Sequence, residues 1–240
     1  MDLAGLRIDG RRAGEMRQIQ IKLGLGGNHD GSAYLEMGQT RVMAQVFGPH
    51  EVDNRRDESH EHASIVVEYV AAPFAGLERK RRRVGDRQGV ELALAVKQSL
   101  EATVLVKLYP HTQIDVQLTL LQDDGGRLPA CLNAATMALV DAGIGMSDML
   151  VSCSAGFLKG GPVVDLNYRE QGGGGAYLPV ALLPATEEVV LAQMDSRLKL
   201  DDFEPLLDLA IKGCHQVHSV LKEAASQHAE NLLAARNAAS

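Results

Sequence analysis

The sequence contains no tryptophan, and phenylalanine and tyrosine together make up only 4% of its 240 residues. Because aromatic side chains stack the bases of single-stranded nucleic acids, a surface that reads bases by stacking is not expected. Cysteine is also scarce: Cys131, Cys153 and Cys214 are odd in number, far apart and set in apolar runs. This pattern predicts buried free thiols in a reducing compartment and has no metal-ligand spacing.

Long apolar runs and an excess of positive charge are missing as well. The longest uncharged apolar runs fall well short of the roughly 18 residues that a membrane span needs, and the chain is charged from Asp2 onward without an apolar signal core. We therefore expect an intracellular protein with no membrane segment. The 24 Lys and Arg against 31 Asp and Glu give a net charge of -7. A nucleic-acid partner would have to be held by a local basic patch.

The periodicity of apolar residues predicts an α+β protein. Period-two alternation predicts strands at 16–25, 32–37, 41–47, 64–71, 114–122, 149–157, 163–168, 178–183 and 189–194. Longer runs predict helices at 90–108, 129–142 and about 201–236. Strands followed by helices occur twice, in residues 1–148 and 149–240. This order indicates an internally duplicated plan, in which β-sheets pack on helices.

The strongest local pattern is the stretch 118–142, LTLLQDDGGRLPACLNAATMALVDA. It joins a strand to a helix through a turn with two glycines, Gly125 and Gly126. Such a turn presents backbone N–H groups and the positive end of a helix dipole, which suits it to binding phosphate. The same glycines would also serve a tight corner that binds nothing.

A second pattern is the basic run 78–87, ERKRRRVGDR, directly before a predicted helix. Its cations are Arg79, Lys80, Arg81, Arg82, Arg83 and Arg87. Arginine binds phosphate oxygens through two parallel hydrogen bonds, so this loop is a candidate surface for a nucleic-acid backbone. The alternatives are a solvated face or a targeting signal. The polar segment 50–62 contains His50, His60 and His62, which we interpret as solvated and not as a metal site.

Six segments carry a family resemblance. They are RIDGRR at 7–12, DGSAYLEMGQT at 30–40, VFGPHE at 46–51, ERKRRRVGDR at 78–87, LLQDDGGRLPACLNAATMALVDAGI at 120–144 and LAQMDSRL at 191–198. Together they resemble the RNase PH family of phosphate-dependent 3′-to-5′ exoribonucleases. Within it, they are most similar to the core ring subunit of the eukaryotic RNA exosome that corresponds to the catalytic ring subunit in archaea.

The resemblance implies the RNase PH fold, with two stacked βα subdomains. It also implies a six-membered ring of RNase PH-like subunits, a channel for single-stranded RNA, RNA-binding cap subunits and an associated catalytic nuclease. The processes implied are rRNA maturation and mRNA turnover in the nucleus, nucleolus and cytoplasm. No cofactor and no metal are implied for this subunit.

The chain departs from active relatives at the positions that carry chemistry. Those relatives bind phosphate at Gly-Ser-Arg in the motif QADAGSRTACLNAA, where this chain has Gly126, Arg127 and Leu128. They also carry two aspartates, six residues apart, where this chain has Gln171 and Tyr177. Neither side chain supplies a carboxylate at neutral pH. Asp165 and Glu170 lie nearby in the sequence, but their spacing does not match.

This chain keeps residues that the resemblance assigns to RNA contacts, whereas it lacks those that the resemblance assigns to catalysis. Arg87 matches a family arginine that touches the RNA backbone, and Arg55 and Arg56 match the segment that forms a channel constriction. We therefore predict a non-catalytic, RNA-binding ring subunit. Two alternatives stay open: an active phosphorolytic exoribonuclease with carboxylates from other positions, and a free-standing RNA-binding protein.

Overall fold

The structure is a computed structural model that describes residues 6–52, 60–79, 86–158, 161–194 and 196–239. Its strands are β1 Ile19–Leu23, β2 Gly31–Met37, β3 Thr40–Glu51, β4 Ser64–Ala71, β5 Thr112–Gln122, β6 Val151–Leu158, β7 Gly161–Val164, β8 Ala176–Leu183 and β9 Glu188–Ala192. Its helices are α1 Arg87–Thr103, α2 Arg127–Asp141, α3 Tyr168–Gln171 and α4 Leu200–Ala239, with a short 3-10 turn at Val106–Leu108.

The first sheet is mixed, with the strand order β1-β2-β3-β5-β4. Strands β1, β2, β3 and β5 pair antiparallel, and β4 pairs parallel with β5. Helix α1 connects β4 to β5, because parallel neighbours require a crossover segment. The second sheet, β7-β6-β8-β9, is antiparallel throughout. These two sheets and their helices confirm the predicted α+β class.

Helix α2 joins the two sheets into one core. Every residue from Leu128 to Leu139 is buried, as expected of a helix that is apolar on all sides. It packs on β2 and β3 of the first sheet and on β6 and β8 of the second. Helix α4 also packs on β6 and β8, which are buried at consecutive positions and are therefore covered on both faces. The domain boundary predicted at residues 148 and 149 stays a prediction.

Most predicted elements differ from the observed ones by no more than three residues at their ends, and three differ by more. The strand predicted to stop at residue 47 continues to Glu51, because a register shift between Phe47 and His50 accommodates Pro49 at an irregularity of the ladder. The helix predicted at 90–108 begins at Arg87 and ends at Thr103, where Val104 takes an extended conformation.

The strand predicted at 163–168 is wrong in its second half. Strand β7 ends at Val164, and Tyr168–Gln171 forms the short helix α3. Its first residue is preceded by a capping box, in which the Asn167 side chain accepts from the Glu170 N–H and the Glu170 carboxylate accepts from the Asn167 N–H. This reciprocal cap overrides the weak strand pattern.

Candidate functional site

The turn between β5 and α2 is shaped by close contact with α3. Gly125 and Gly126 have φ angles of 82° and 66°, in the left-handed region that favours glycine. A Cβ on Gly125 would lie 2.7 Å from the backbone carbon of Asn167 and the backbone nitrogen of Tyr168. Gly125 therefore serves a tight corner, one of the two roles considered for these glycines, because the turn packs directly against the second domain.

The start of α2 has the geometry of an anion site with a buried ion pair beside it. Its N-cap, Gly126, has no side chain to bond the first-turn N–H groups, which leaves them available to a ligand or to solvent. A Cβ placed on Gly126 would lie 2.9 Å from an Arg17 guanidinium nitrogen, 3.7 Å from an Asp165 carboxylate oxygen and 3.9 Å from the Ser154 hydroxyl. These three side chains line the space next to the turn.

Asp165 is fully buried and is bound by Arg17 through two parallel hydrogen bonds. The Arg17 Nε lies 2.8 Å from Oδ2 of Asp165, and a terminal guanidinium nitrogen lies 2.7 Å from Oδ1. Arg17 also donates to the carbonyl oxygens of Asp124 and Gly125, at 2.9 and 3.3 Å. The Arg17 guanidinium thus holds the turn against the second domain, and the Asp165 carboxylate neutralises its charge.

Glu170 is held in the same way by Arg7. The Arg7 guanidinium donates to both carboxylate oxygens of Glu170 and to the backbone oxygens of Val164 and Asp165. Burial by itself raises the pKa of Glu170, but the hydrogen bonds from Arg7 and from the Asn167 N–H hold that pKa below its usual value. Glu170 is therefore an ionised structural anchor.

The two positions that are aspartate in active relatives carry no acid here and lie in different surroundings. Tyr177 lies beside Asp165, Ser154 and Arg17, and burial, with the nearby Asp165 charge, raises the pKa of its phenol well above the usual value. It is therefore neutral at physiological pH. Gln171 is the exposed last residue of α3. Neither residue can position a proton or a metal as a carboxylate would.

Arg127 and Leu128, the first two residues of α2, have different surroundings. The Arg127 Nε donates to Asp123 at 2.8 Å, and its side chain is 40% exposed. Burial by itself lowers the pKa of Arg127, but the Asp123 charge and hydrogen bond hold that pKa above its usual value. Leu128 is buried in the core. The position that the resemblance aligns with a phosphate-binding arginine is thus a core residue, whose side chain can donate no hydrogen bond.

The basic run is only partly within the described residues. Arg79 and Arg87 are both exposed, and Arg87 is the first residue of α1. Lys80, Arg81, Arg82 and Arg83 lie outside the described residues, as do Arg55 and Arg56. A cation at the positive end of a helix dipole costs about 0.3–1 kcal/mol unless an anion is present. The first turn of α1 contains no acidic residue, and the carboxylate beside it that offsets this cost is that of the N-cap, Asp86.

The histidines and cysteines of the described residues form no metal site. His60 and His62 are exposed, and His50 lies 3.6 Å from the Asp115 carboxylate. Across the described ranges, no group of His, Cys, Asp and Glu could hold a metal ion. The three cysteines are buried and free, which confirms the prediction, and burial raises the pKa of both Cys131 and Cys214 to about 12. None of the described helices is long and apolar enough to cross a membrane.

Sequence reasoning missed Arg7 and Arg17 as organisers of the site. Their partners lie 163 and 148 residues away in the chain, so no local pattern could reveal the pairing. The only available signal was the density of arginine in the segment RIDGRR at residues 7–12.

Comparison with known proteins assigns this chain to a family. The family model described as "3′ exoribonuclease family, domain 1" matches residues 15–145, and the model of domain 2 matches residues 148–213. The exosome complex component RRP41 homolog of Arabidopsis thaliana is 45% identical over 229 residues, covering 95% of each chain. Rrp41 of Thermococcus kodakarensis is 41% identical over 93% of this chain and 90% of its own.

A crystal structure of rice Rrp46 has the same fold. It superposes with a TM-score of 0.81, at 24% sequence identity, over 91% of this chain and all of its own. The two family models and the identity to the relatives lead to the same assignment. This chain belongs to the RNase PH family of 3′ exoribonucleases and contains both of its domains.

Proposed function

We propose that the chain is the RRP41-type ring subunit of an RNA exosome and that it supports 3′-to-5′ RNA processing and degradation without catalysing it. The observation that carries the proposal is the state of the carboxylates around the α2 turn. Gln171 and Tyr177 stand where active relatives have aspartates. Asp165 and Glu170, the nearby acids of the second domain, are each bound by an arginine. The two acids of the turn itself are paired as well, Asp123 with Arg127 at 2.8 Å and Asp124 with Arg17 at 3.7 Å.

Phosphorolysis makes demands that this arrangement does not meet. Inorganic phosphate must be held beside the terminal phosphodiester, and the growing charge must be stabilised while an acidic group positions a metal or a proton. Here Arg17 already neutralises Asp165, Leu128 is buried, and the pKa of Tyr177 lies far above neutral pH. The α2 turn keeps the shape of a phosphate site without its acids.

RNA binding is assigned to the basic run and the loop before it. Arg79 and Arg87 are exposed, and Arg87 is the first residue of α1, where a bound phosphate would relieve the unfavourable placement of a cation at a helix N-terminus. Lys80, Arg81, Arg82 and Arg83 continue this surface in the sequence, and Arg55 and Arg56 would line the channel constriction. The subunit would bind single-stranded RNA and need no cofactor.

The relatives also supply the proposed assembly. The chain would alternate with other RNase PH-like subunits in a hexameric ring, beneath RNA-binding cap subunits and beside an associated nuclease. Its two domains would be residues 1–148 and 149–240, in line with the family matches on either side of that boundary. The compartments would be the nucleus, nucleolus and cytoplasm, and the processes would include rRNA maturation and mRNA turnover.

Product analysis of the reconstituted ring tests the proposal. The chain is assembled with the other ring subunits of its own organism and incubated with 3′-labelled single-stranded RNA, with and without inorganic phosphate. We expect RNA binding but no release of nucleoside diphosphates. A phosphorolytic archaeal ring, assayed in parallel, shows that the conditions support the reaction.

Two results would contradict the proposal. Phosphate-dependent release of nucleoside diphosphates, lost when Asp165 is replaced by Asn but retained in a Glu36→Gln control, would establish the alternative of an active exoribonuclease. A chain that remains a monomer in the presence of the ring subunits, judged by native mass spectrometry, would instead favour a free-standing RNA-binding protein.

A further inference from the structure

The N-terminal segment 7–14 belongs to the first half of the chain but is attached to the second domain. It lies ahead of β1 and before residue 15, where the match to the domain 1 family model begins. None of its residues is in a helix or a strand. It folds back on itself, since the Arg7 N–H donates to the Arg11 carbonyl oxygen at 2.9 Å and the Gly10 N–H donates to the Arg7 carbonyl oxygen at 3.0 Å. Its position on the molecule must therefore come from contacts with other elements.

Arg7 provides the strongest of these contacts. It is 3% exposed and is the only buried residue of the segment. Its guanidinium donates to both carboxylate oxygens of Glu170 and to the backbone oxygens of Val164 and Asp165. Hydrogen bonds that involve charged groups are roughly twice as strong as neutral ones. One side chain thus anchors the segment at three residues of the second domain.

Arg11 and Ala13 attach the segment to the same short stretch. The Arg11 guanidinium donates to the backbone oxygen of Asp165 at 3.1 Å and lies 3.5 Å from the Asp165 carboxylate. The Val164 N–H donates to the Ala13 carbonyl oxygen at 2.9 Å. Among the described hydrogen bonds, those that link the segment to a distant part of the chain all go to residues 164–170.

Little apolar surface holds the segment in place. Ile8, its one large apolar side chain, is 69% exposed, and Asp9, Gly10, Arg12 and Gly14 are exposed as well. Burial of apolar area is the dominant favourable term in the stability of a fold. A segment held mainly by ionic hydrogen bonds therefore detaches at a lower free-energy cost than the sheets unfold, and such regions open locally in folded proteins.

The carboxylate that Arg7 binds also stabilises α3. Glu170 accepts from the Asn167 N–H at 3.0 Å and so completes the capping box of this four-residue helix. The backbone of Asn167 in turn lies 2.7 Å from a Cβ placed on Gly125, within the turn that precedes α2. Docking of the segment therefore keeps α3 in contact with the α2 turn.

We infer that residues 7–14 form an interdomain strap, which docks and undocks as a unit and whose docking holds α3 against the α2 turn. When the strap undocks, α3 and the turn lose their contact while both sheets stay folded, because the buried helix α2 packs on both sheets. The strap goes beyond the proposed function, since it operates in the isolated chain and depends neither on RNA nor on a ring.

Amide hydrogen exchange of the isolated chain, resolved by NMR, tests the strap. Two amides report on it directly: the Val164 N–H, which donates to the Ala13 carbonyl oxygen, and the Tyr168 N–H, which donates to the Asp124 carbonyl oxygen in the turn at 2.9 Å. If the strap undocks as a unit, both amides exchange through one local opening. We expect equal protection factors for the two, nearly independent of urea, whereas amides of β5 are more protected and depend steeply on urea.

Two substitutions show whether the ionic contacts close the strap. The variant Arg7→Gln/Glu170→Gln removes both charges and leaves amides that can hydrogen-bond each other, so that no buried charge stands unpaired. We expect the Val164 and Tyr168 amides to exchange together about tenfold faster or more, as the loss of one hydrogen bond between charged groups predicts. The control Arg12→Gln removes an exposed cation from the same segment and should leave both rates unchanged.

Three results would overturn the inference. Unequal protection of the two amides, or acceleration of the Val164 amide alone, would show that the strap opens without releasing α3. Protection and urea dependence equal to those of β5 would show that the segment detaches only in global unfolding. Equal effects of the double variant and the control would mean that the Arg7–Glu170 pair does not close the strap. Should the double variant not fold, Arg11→Gln, which keeps the Arg7–Glu170 pair, is compared with the same control.

Discussion

At the scale of single residues, one buried carboxylate connects the two domains. Asp165 accepts from the backbone N–H and the guanidinium of Arg17 and lies 3.5 Å from the Arg11 guanidinium. It also has a φ angle of 52°, unusual for a residue other than glycine. Loss of this carboxylate deprives Arg17 of its close partner, whereas Arg11 keeps the Asp9 carboxylate at 2.7 Å.

We predict that Asp165→Asn lowers the free energy of unfolding by about 3–5 kcal/mol, because it leaves the Arg17 charge buried and unpaired. The measurement is urea denaturation of the isolated chain. Glu36→Gln is the matched control, since Glu36 pairs with Arg41 on the surface at 3.3 Å and should cost at most about 1 kcal/mol. Equal effects of the two substitutions would contradict the structural importance of the Arg17–Asp165 pair.

Glu170 makes the stability of the fold depend on pH in the acidic range. Burial raises its pKa, but Arg7 and the Asn167 N–H stabilise the charged form, so that the pKa in the folded chain is below the usual glutamate value. Its contribution is therefore present above the pKa of about 4.3 that glutamate has when unfolded, and is lost as the pH falls through the lowered folded value. We predict that Glu170→Gln is less stable at neutral pH and has a shallower loss of stability between about pH 5 and 3.

Thermal unfolding at half-unit pH steps measures this difference. Glu15→Gln serves as the control, since Glu15 is exposed and, among the described residues, its carboxylate accepts from the Arg12 N–H at 3.0 Å without a salt bridge. If the Glu170→Gln curve runs parallel to that of the unaltered chain below about pH 5, the ion pair does not govern acid stability.

At the scale of elements, the predictable parts are those whose pattern is local and long. The alternation from Ile114 to Leu120 predicted β5, and the apolar run after Gly126 predicted α2, because each pattern repeats over several turns or strand residues. Helix α3 was missed because it has four residues, and only its capping box distinguishes it from a strand end.

The candidate site was less predictable than the fold for a physical reason. The interpretation of Gln171 and Tyr177 as positions that have lost a carboxylate follows from the sequence once a resemblance to the family is used, and it stays a prediction. The pairing of Asp165 and Glu170 with Arg17 and Arg7 does not, because ion pairs between residues 148 and 163 positions apart depend on how the domains pack. The burial of Leu128 likewise depends on which face of α2 meets the core.

Helix α4 has two parts with different importance for stability. Its first part buries Leu206, Ala210, Cys214, Val217 and Leu221, and His228 then lies 2.7 Å from the Asp141 carboxylate at the end of α2. Residues 229–237 are exposed.

We predict that deleting residues 230–240 shifts the midpoint of thermal unfolding by less than about 2 °C, because little apolar surface is uncovered. Deleting residues 215–240 removes Val217, Leu221 and the contact of His228 with Asp141, and should lower the midpoint by about 10 °C or more. Calorimetry of both truncated chains provides the comparison. A large shift for the shorter deletion would show that the last turns carry stability.

At the scale of the whole molecule, the proposed RNA binding must be reconciled with a net charge of -7. The 31 Asp and Glu are spread along the whole sequence. The arginines of the basic run are concentrated before one helix N-terminus. Because charges farther apart than about 8–10 Å are largely screened at physiological salt, the field near that loop is set by its own cations. A protein that is acidic overall can therefore hold RNA at one place.

The salt dependence of RNA binding measures this local field. We predict that replacing Arg81, Arg82 and Arg83 by Ala weakens binding of single-stranded RNA to the assembled ring at every salt concentration. The slope of log K against log salt should also become shallower by about 0.7 for every phosphate that the variant no longer neutralises, since fewer counterions are released. The control Lys199→Ala/Lys212→Ala/Lys222→Ala removes the same charge from exposed positions at and before α4. A slope unchanged in the arginine variant, or reduced equally in both variants, would mean that the basic run is a solvated face and that RNA is held elsewhere on the ring.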